Sequence, residues 1–210
     1  MNTNLLRRDL LFSAAALGLS VPWRPAFARM VSLAQTAAPA PTPRLTDGPY
    51  YPVAFERAPT TTLVTGPLVP QARRLQLSGR IVDRAGRPLP GARVEIWQCD
   101  ANRRYHHPGD DGSTPPDPNF AGFGWQPSSA DGSYRFETIR PVAYPGRTPH
   151  IHVKVKLDER PVLSSQIFMP DESAANQRDF LWRHLGSDAQ PIALATLQGD
   201  AEARFDIVLG

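Results

Sequence analysis

The sharpest chemical feature of the sequence is His150-Ile151-His152. On a β-strand, residues two apart project to the same face, so both imidazoles can point at one ion. Alone the pattern is weak, because two cleft histidines with no ligand give the same spacing. Tyr144 and Arg147 lie just upstream, in Arg140-Pro141-Val142-Ala143-Tyr144-Pro145-Gly146-Arg147-Thr148-Pro149. The prolines of that segment restrict its backbone and would hold Tyr144 and Arg147 in fixed positions. Tyr105 opens a long loop upstream. Taken singly, each tyrosine reads equally well as a ring packed at a loop base. Taken together, two phenols and two imidazoles make a mixed oxygen and nitrogen donor set suited to a hard, trivalent ion. A free phenol ionises only near pH ~10, and a bound cation supplies the missing help. Two tyrosinates favour Fe(III) over Fe(II), unlike the His-His-carboxylate sets of Fe(II) oxygenases. Zinc, the rival ion, usually recruits Cys, His or Asp/Glu.

Strands must position these groups. Leu75, Leu77, Gly79 and Ile81 alternate with Gln76, Ser78 and Arg80, which is a half-buried strand pattern. Residues 92–98 continue it, with Val94 and Ile96 facing one way. Asp131-Gly132 reads as a hairpin-type turn before a strand over 133–139. Ile151, Val153, Val155 and Leu157 alternate, as do Leu163, Ser165, Ile167 and Met169, and finally Ala203, Phe205, Ile207 and Leu209. The set that starts at Ile151 would pack on the core, leaving the two histidines on the opposite, polar face. Only residues 174–185 look helical. The prediction is an all-β, antiparallel β-sandwich with long active-site loops and one short C-terminal helix. Residues 100–129 break the strand rhythm, and loops of that length are commonly functional.

With 210 residues, 41% of them hydrophobic, the chain has material for one globular domain with a real core. The formal charge is +3. Arg7, Arg8, Arg24 and Asp9 carry +2 of it, so the rest of the chain is nearly neutral. The remaining Lys and Arg form no block interleaved with aromatic residues, which gives a nucleic-acid partner no support. The first 28 residues hold the Arg7-Arg8 pair, an apolar run over 10–21 and Ala26-Phe27-Ala28, the three parts of an export signal. The apolar run is short for a bilayer span of ~20 residues. The paired arginines resemble a twin-arginine signal, which exports proteins already folded. The expectation is therefore a signal peptide over 1–28, a flexible arm over 29–43 and a domain over 44–210. Export would place the mature chain in the periplasm or outside the cell, with no membrane anchor after cleavage. A single Cys99 cannot form an internal disulfide.

The stretch GRIVDRAGRPLPGARVEIWQCDANRRYHH over 79–107, followed by GSYRFETIRPVAYPGRTPHIHVKV over 132–155, resembles the intradiol ring-cleavage dioxygenase family. Weaker echoes are TDGPYYP from Thr46, SSQIFMP from Ser164 and the terminal FDIVL. The likeness runs from about Thr46 to Leu209 and points to the protocatechuate-type, small exported single-domain branch. It implies one non-haem Fe(III) per chain held by Tyr105, Tyr144, His150 and His152. It implies that Tyr144 is the ligand released when substrate binds, that Arg147 stabilises charge on the activated ring, and that Gln166 stands near the site. Tyr50 or Tyr51 would line the entrance. The partners implied are a catechol-type aromatic and O2, with a muconate-type diacid as product. The N-terminal helical dimerisation region of the catechol- and hydroxyquinol-cleaving branches is absent, and a homo-oligomer of another kind stays compatible. Val142-Ala143 and Gly146 depart from many relatives, which leaves the identity of the catechol open.

Two other classes compete. The opening strands also resemble exported transthyretin-like binding modules, which have no reason to gather the four donors. A cupin would need a Glu shortly after the H-x-H pair, and no acid follows before Asp158. Asp110, Asp111 and Asp117 lie in a Gly/Pro-rich loop but lack EF-hand spacing. His106, His107 and His184 read as loop or surface residues, and Cys99 as a buried thiol near the pocket.

Overall fold

The computed structural model describes residues 38–53 and 58–210. The expected signal peptide and the arm up to residue 37 lie outside them. The last residues of that arm are fastened to the domain. The N–H of Thr42 donates to the carbonyl of Val208 at 3.0 Å, and the Thr42 hydroxyl accepts from the N–H of Val208 at 2.9 Å. The carbonyl of Pro43 accepts from Ser165 Oγ at 2.6 Å.

Two sheets form most of the domain. One has the order β4-β1-β8-β7, with β9 also paired to β1; the other has the order β3-β2-β5-β6. Their strands are β1 (Arg74–Asp83), β2 (Arg93–Trp97), β3 (Phe123–Pro127), β4 (Ser133–Ile139), β5 (His150–Leu157), β6 (Arg160–Phe168), β7 (Thr196–Leu197), β8 (Glu202–Arg204) and β9 (Ile207–Leu209). One cluster of buried apolar side chains draws on both sheets. It takes Leu75, Leu77, Ile81 and Phe136 from the first, and Val94, Ile96, Ile151, Val153, Val155 and Ile167 from the second. Alternation along β2 and β5 thus turns one face of the second sheet to the core and leaves Arg93, Glu95, Trp97, His150, His152 and Lys154 on the other.

The first sheet departs from the antiparallel expectation. β1 pairs antiparallel with β4 but parallel with β8 and β9. The chain returns to β1 only after passing through the whole second sheet, so no tight hairpin dictates its direction. The final alternating run is also interrupted, because Asp206 Oδ1 accepts the N–H of Arg80 at 2.9 Å. Gly79 makes room there: a Cβ at this position would lie 1.9 Å from the carbonyl oxygen of Phe205.

Three further expectations shift. The loop expected over 100–129 contains β3, paired along the full length of β2. The Asp131-Gly132 turn is no hairpin, since it carries the chain from β3 in one sheet to β4 in the other. The helix expected over 174–185 is two, α1 (Ser173–Asn176) and α2 (Phe180–Ala189). They part because Asp179 is extended, with φ −73° and ψ 129°, and its side chain accepts from the N–H groups of Leu181 and Trp182 as an N-cap. Trp182 then packs with Phe168 and Leu45, laying α2 over the site-bearing face of the second sheet.

Candidate active site

Strand register sets the first part of the site. Trp97 of β2, His152 of β5 and Gln166 of β6 stand directly opposite one another across three adjacent strands. The indole of Trp97 stacks on the His152 ring at 4.7 Å between centroids and 10° between planes. His150 enters from the end of β5, where its Nδ1 lies 2.6 Å from the carbonyl of Thr148. A carbonyl only accepts, so Nδ1 carries the hydrogen and the Nε2 lone pair is turned to the site. The two Nε2 atoms are 3.2 Å apart, and His152 Nε2 is 3.2 Å from the Tyr105 hydroxyl.

Tyr105 arrives on the long loop, which carboxylates hold in shape. Asp110 Oδ2 accepts the N–H of Tyr105 at 2.6 Å, and Asp110 Oδ1 lies 3.0 Å from Arg104 Nε. Asp100 accepts from the N–H groups of Asn102, Arg104 and Asp117. The Asp100 and Asp110 carboxylates are therefore loop braces, and Asp117 holds its own turn by accepting the N–H of Asn119 at 2.9 Å. Tyr50 stacks on Tyr105 at 4.7 Å, which places the Thr46–Pro52 segment over the site. Tyr51 packs edge-on against Trp97 at 5.1 Å and donates to Glu95 Oε2 at 2.7 Å. Gly48 of the same segment has φ +71°, and a Cβ there would stand 3.4 Å from His152 Cε1.

Tyr144 closes the group from the proline-rich loop, its ring edge-on to Tyr105 at 5.5 Å. Arg147 reaches across it. Nη1 is 3.4 Å from both the Tyr144 hydroxyl and His150 Nε2, Nη2 donates to Gln166 Oε1, and Nε donates to Asp179 Oδ2 at 2.8 Å. All six predicted site residues are thus brought together. His106, His107 and His184 are not among them: His106 faces Asp100 at 4.0 Å, His107 accepts from the N–H of Gly109, and His184 is exposed on α2. Cys99 packs beside Trp97 and Tyr105, and burial pushes its thiol up to about 12. Sequence reasoning missed Asp179, Thr148 and Trp97. Only Asp179 left a signal, as an N-cap type immediately before an apolar helical run.

Burial dominates the titration of the donors. It lowers His150 to about 3, with the Arg147 charge adding to the effect, and it drives His152 well below the usual imidazole range. Both rings are neutral and offer lone pairs. Burial also raises both phenols, Tyr105 more than Tyr144, so neither ionises unaided. This arrangement fits a cation. Donors about 2.0–2.1 Å from one ion lie roughly 3.3 Å apart at near-tetrahedral angles, close to the observed 3.2 Å edges. His152 Nδ1 is buried without a hydrogen-bond partner among the described residues, a cost that ligation through Nε2 would offset. The metal-free domain should lose stability on acidification. Each histidine takes up a proton near pH ~6.5 when unfolded but resists it when folded, so stability is full above that value and falls as pH drops below it. The slope is at most about 1.4 kcal/mol per pH unit for each ring. Urea unfolding of metal-free protein between about pH 7.5 and 5 would show this; a flat profile would mean that the rings are not buried neutral.

A sequence model of the dioxygenase family matches residues 46–209. The beta chain of protocatechuate 3,4-dioxygenase from Burkholderia cepacia is 43% identical over 90 residues, which is 40% of this chain and 38% of that one. Hydroxyquinol 1,2-dioxygenase from Corynebacterium glutamicum is 29% identical over 169 residues, 66% of this chain and 54% of that one. The chain therefore spans about half or less of these curated relatives. Among solved structures, the dioxygenase domain of a dioxygenase carbohydrate-binding protein fusion from the cellulolytic bacterium Streptomyces sp. SirexAA-E superposes with a TM-score of 0.63 at 35% identity. That match covers 81% of this chain and 98% of that domain. With the family match running through every donor of the site, the chain belongs to the intradiol ring-cleavage dioxygenases.

Proposed function

We propose that this protein is an exported, non-haem Fe(III) dioxygenase that opens a catechol-type ring between its two hydroxylated carbons. Both atoms of O2 enter the product, a muconate-type dicarboxylic acid, so no external reductant is needed. The observation that carries this reading is the convergence of Tyr105, Tyr144, His150 and His152, two phenols and two neutral imidazoles, beside Arg147. The single core shared by two sheets supports a two-layer β-sandwich as its scaffold. The Arg7-Arg8 pair and the apolar run after it support export by the twin-arginine route.

Tyr105, Tyr144, His150 and His152 would hold the iron, which when bound supplies a Lewis acid that ionises phenols and draws charge from a chelated catecholate. The protein divides the remaining work. Tyr105 is buried, stacked under Tyr50 and fixed through its backbone N–H, so it suits a permanent ligand. Tyr144 is half-exposed on a loop and suits the ligand that substrate displaces. Burial holds the Tyr144 phenol above the usual range, so once released its oxygen takes a proton readily and can receive one from the incoming catechol. Arg147 holds Nη1 beside the Tyr144 hydroxyl and His150 Nε2, from where it would stabilise negative charge on a ring bound at the donors, an electrostatic contribution from a group already oriented. Gln166 keeps Nη2 of Arg147 in place and donates from Nε2 to the carbonyl of Thr46 at 3.3 Å, tying the arginine to the covering segment.

The test is a visible spectrum with an iron assay, before and after anaerobic addition of catechol. Protein with near one iron per chain and a red tyrosinate-to-iron band that shifts on adding catechol is the expected result. A protein that stays colourless and iron-free after ferric reconstitution would overturn the proposal.

A further inference from the structure

Asp179 is buried, and its carboxylate accepts four hydrogen bonds from two separate parts of the fold. Oδ1 accepts from the N–H groups of Leu181 at 2.9 Å and Trp182 at 3.1 Å, capping α2. Oδ2 accepts from Arg147 Nε at 2.8 Å and from the N–H of Thr148 at 3.0 Å. The carbonyl of that same Thr148 faces His150 Nδ1. The Thr148 hydroxyl donates to Asn176 Oδ1 at 2.7 Å, and Asn176 Nδ2 donates to the carbonyl of Met169 at 2.9 Å. Behind the Tyr144–His150 loop, the turn between α1 and α2 therefore grips both the arginine and the residue that orients the histidine.

Capping alone does not account for the aspartate. A serine caps a helix about as well, and an ionised carboxylate is costly to bury without a partner. The second oxygen is the distinguishing feature. By taking Nε of Arg147, it turns the guanidinium so that Nη1 and Nη2 face Tyr144, His150 and Gln166.

We infer that Asp179 is a positioning residue, fixing the Arg147 guanidinium beside the four donors and, through Thr148, holding His150 with its Nε2 lone pair toward them. The inference rests on the dioxygenase reading above and adds a residue outside the donor set.

A double-mutant cycle on iron-loaded protein tests it, using Asp179→Ser, Arg147→Ala and the double variant. Asp179→Ser keeps a helix-capping oxygen and removes the grip on Arg147 and Thr148. It should retain the red band yet lower turnover per bound iron about 10–100-fold, the range for outer partners of a metal site. The double variant should lose clearly less than the product of the two single losses, since the Arg147 pathway is already broken in Arg147→Ala and only the hold on His150 through Thr148 remains to be lost. As a control, Leu77→Ala in the shared core destabilises the fold and should leave turnover per bound iron unchanged. Turnover of Asp179→Ser within twofold of wild type, or losses that multiply in the double variant, would overturn the inference. The same cycle on metal-free protein gives a readout independent of activity: the double variant should melt above Arg147→Ala, because the stranded carboxylate is gone. Should the wild type fail to bind iron or cleave catechol, the dioxygenase reading fails, while this melting comparison still decides whether Asp179 and Arg147 are coupled.

Discussion

His152→Ala is expected to give a folded protein that is colourless and retains iron more than ~100-fold less well than wild type, since losing even an outer partner of a ligand costs about 10–100-fold. The fold should survive for reasons visible in the strands. His152 lies mid-sheet, its backbone paired with Trp97 on one side and Gln166 on the other, and its side chain points away from the core. Truncation leaves the core shared by the two sheets intact, costs the stacking on Trp97, and also removes Nδ1, a buried atom without a partner among the described residues. The site loses more. Nε2 of His152 is the atom that lies 3.2 Å from both His150 Nε2 and the Tyr105 hydroxyl. Without it Tyr105 and His150 lose the nitrogen that stands between them, and the indole of Trp97 is left over empty space. Iron content after dialysis against a chelator, with circular dichroism to confirm folding, measures the effect. Iron retention within tenfold of wild type would remove His152 from the ligand set.

Much of this candidate site was legible from the sequence, the His150–His152 pair and the Tyr144 loop through local rules, and the full donor set with Gln166 through the family resemblance. The period of two along β5 fixes the relation of His150 to His152, and the opposite set of Ile151, Val153 and Val155 fixes which side is core. The prolines flanking Tyr144 and Arg147 announce a rigid loop. What was not legible depends on register and on contacts distant in sequence. Trp97 stacks on His152 because β2 pairs with β5 at one particular offset, which nothing local specifies. β3 was hidden because Phe123–Pro127 holds Gly124 and a terminal proline and shows little alternation. The parallel return of β8 and β9 beside β1 is likewise a matter of chain path. Asp179 was overlooked because its helix-capping role is readable from its neighbours, whereas its grip on Arg147 spans 32 positions.

Arg147→Ala is expected to damage both chemistry and stability, and the two losses should separate with pH. Removing a preoriented donor of developing charge typically lowers turnover about 10²–10³-fold. Independently, the side chain of Asp179 is fully buried and that of Arg147 is only 8% exposed. Breaking a buried pair from one side costs about 3–5 kcal/mol, because the remaining charge is stranded. In the wild type, burial raises the Asp179 pKa, but hydrogen bonds from Arg147 and Thr148 outweigh it and leave the carboxyl below its usual range. That contribution to stability is present above the unfolded carboxyl pKa and is lost as pH falls through the folded one. In Arg147→Ala the burial effect is opposed only by the N–H groups of Thr148, Leu181 and Trp182, so the folded pKa should rise from its wild-type position. The penalty is then greatest near neutrality and shrinks as acid protonates the stranded carboxyl. Arg147 also helps to hold His150 and His152 neutral, so the histidines contribute to the difference between the two proteins as well. The same comparison in an Asp179→Ser background keeps their share and removes that of the carboxyl. Urea unfolding of metal-free wild type and Arg147→Ala at about pH 7 and about pH 4.5 should show the gap closing toward the acid side. A gap that stays constant or widens would mean that Asp179 is not the group left uncompensated, and the ion pair would lose its place in the account of how Arg147 is held.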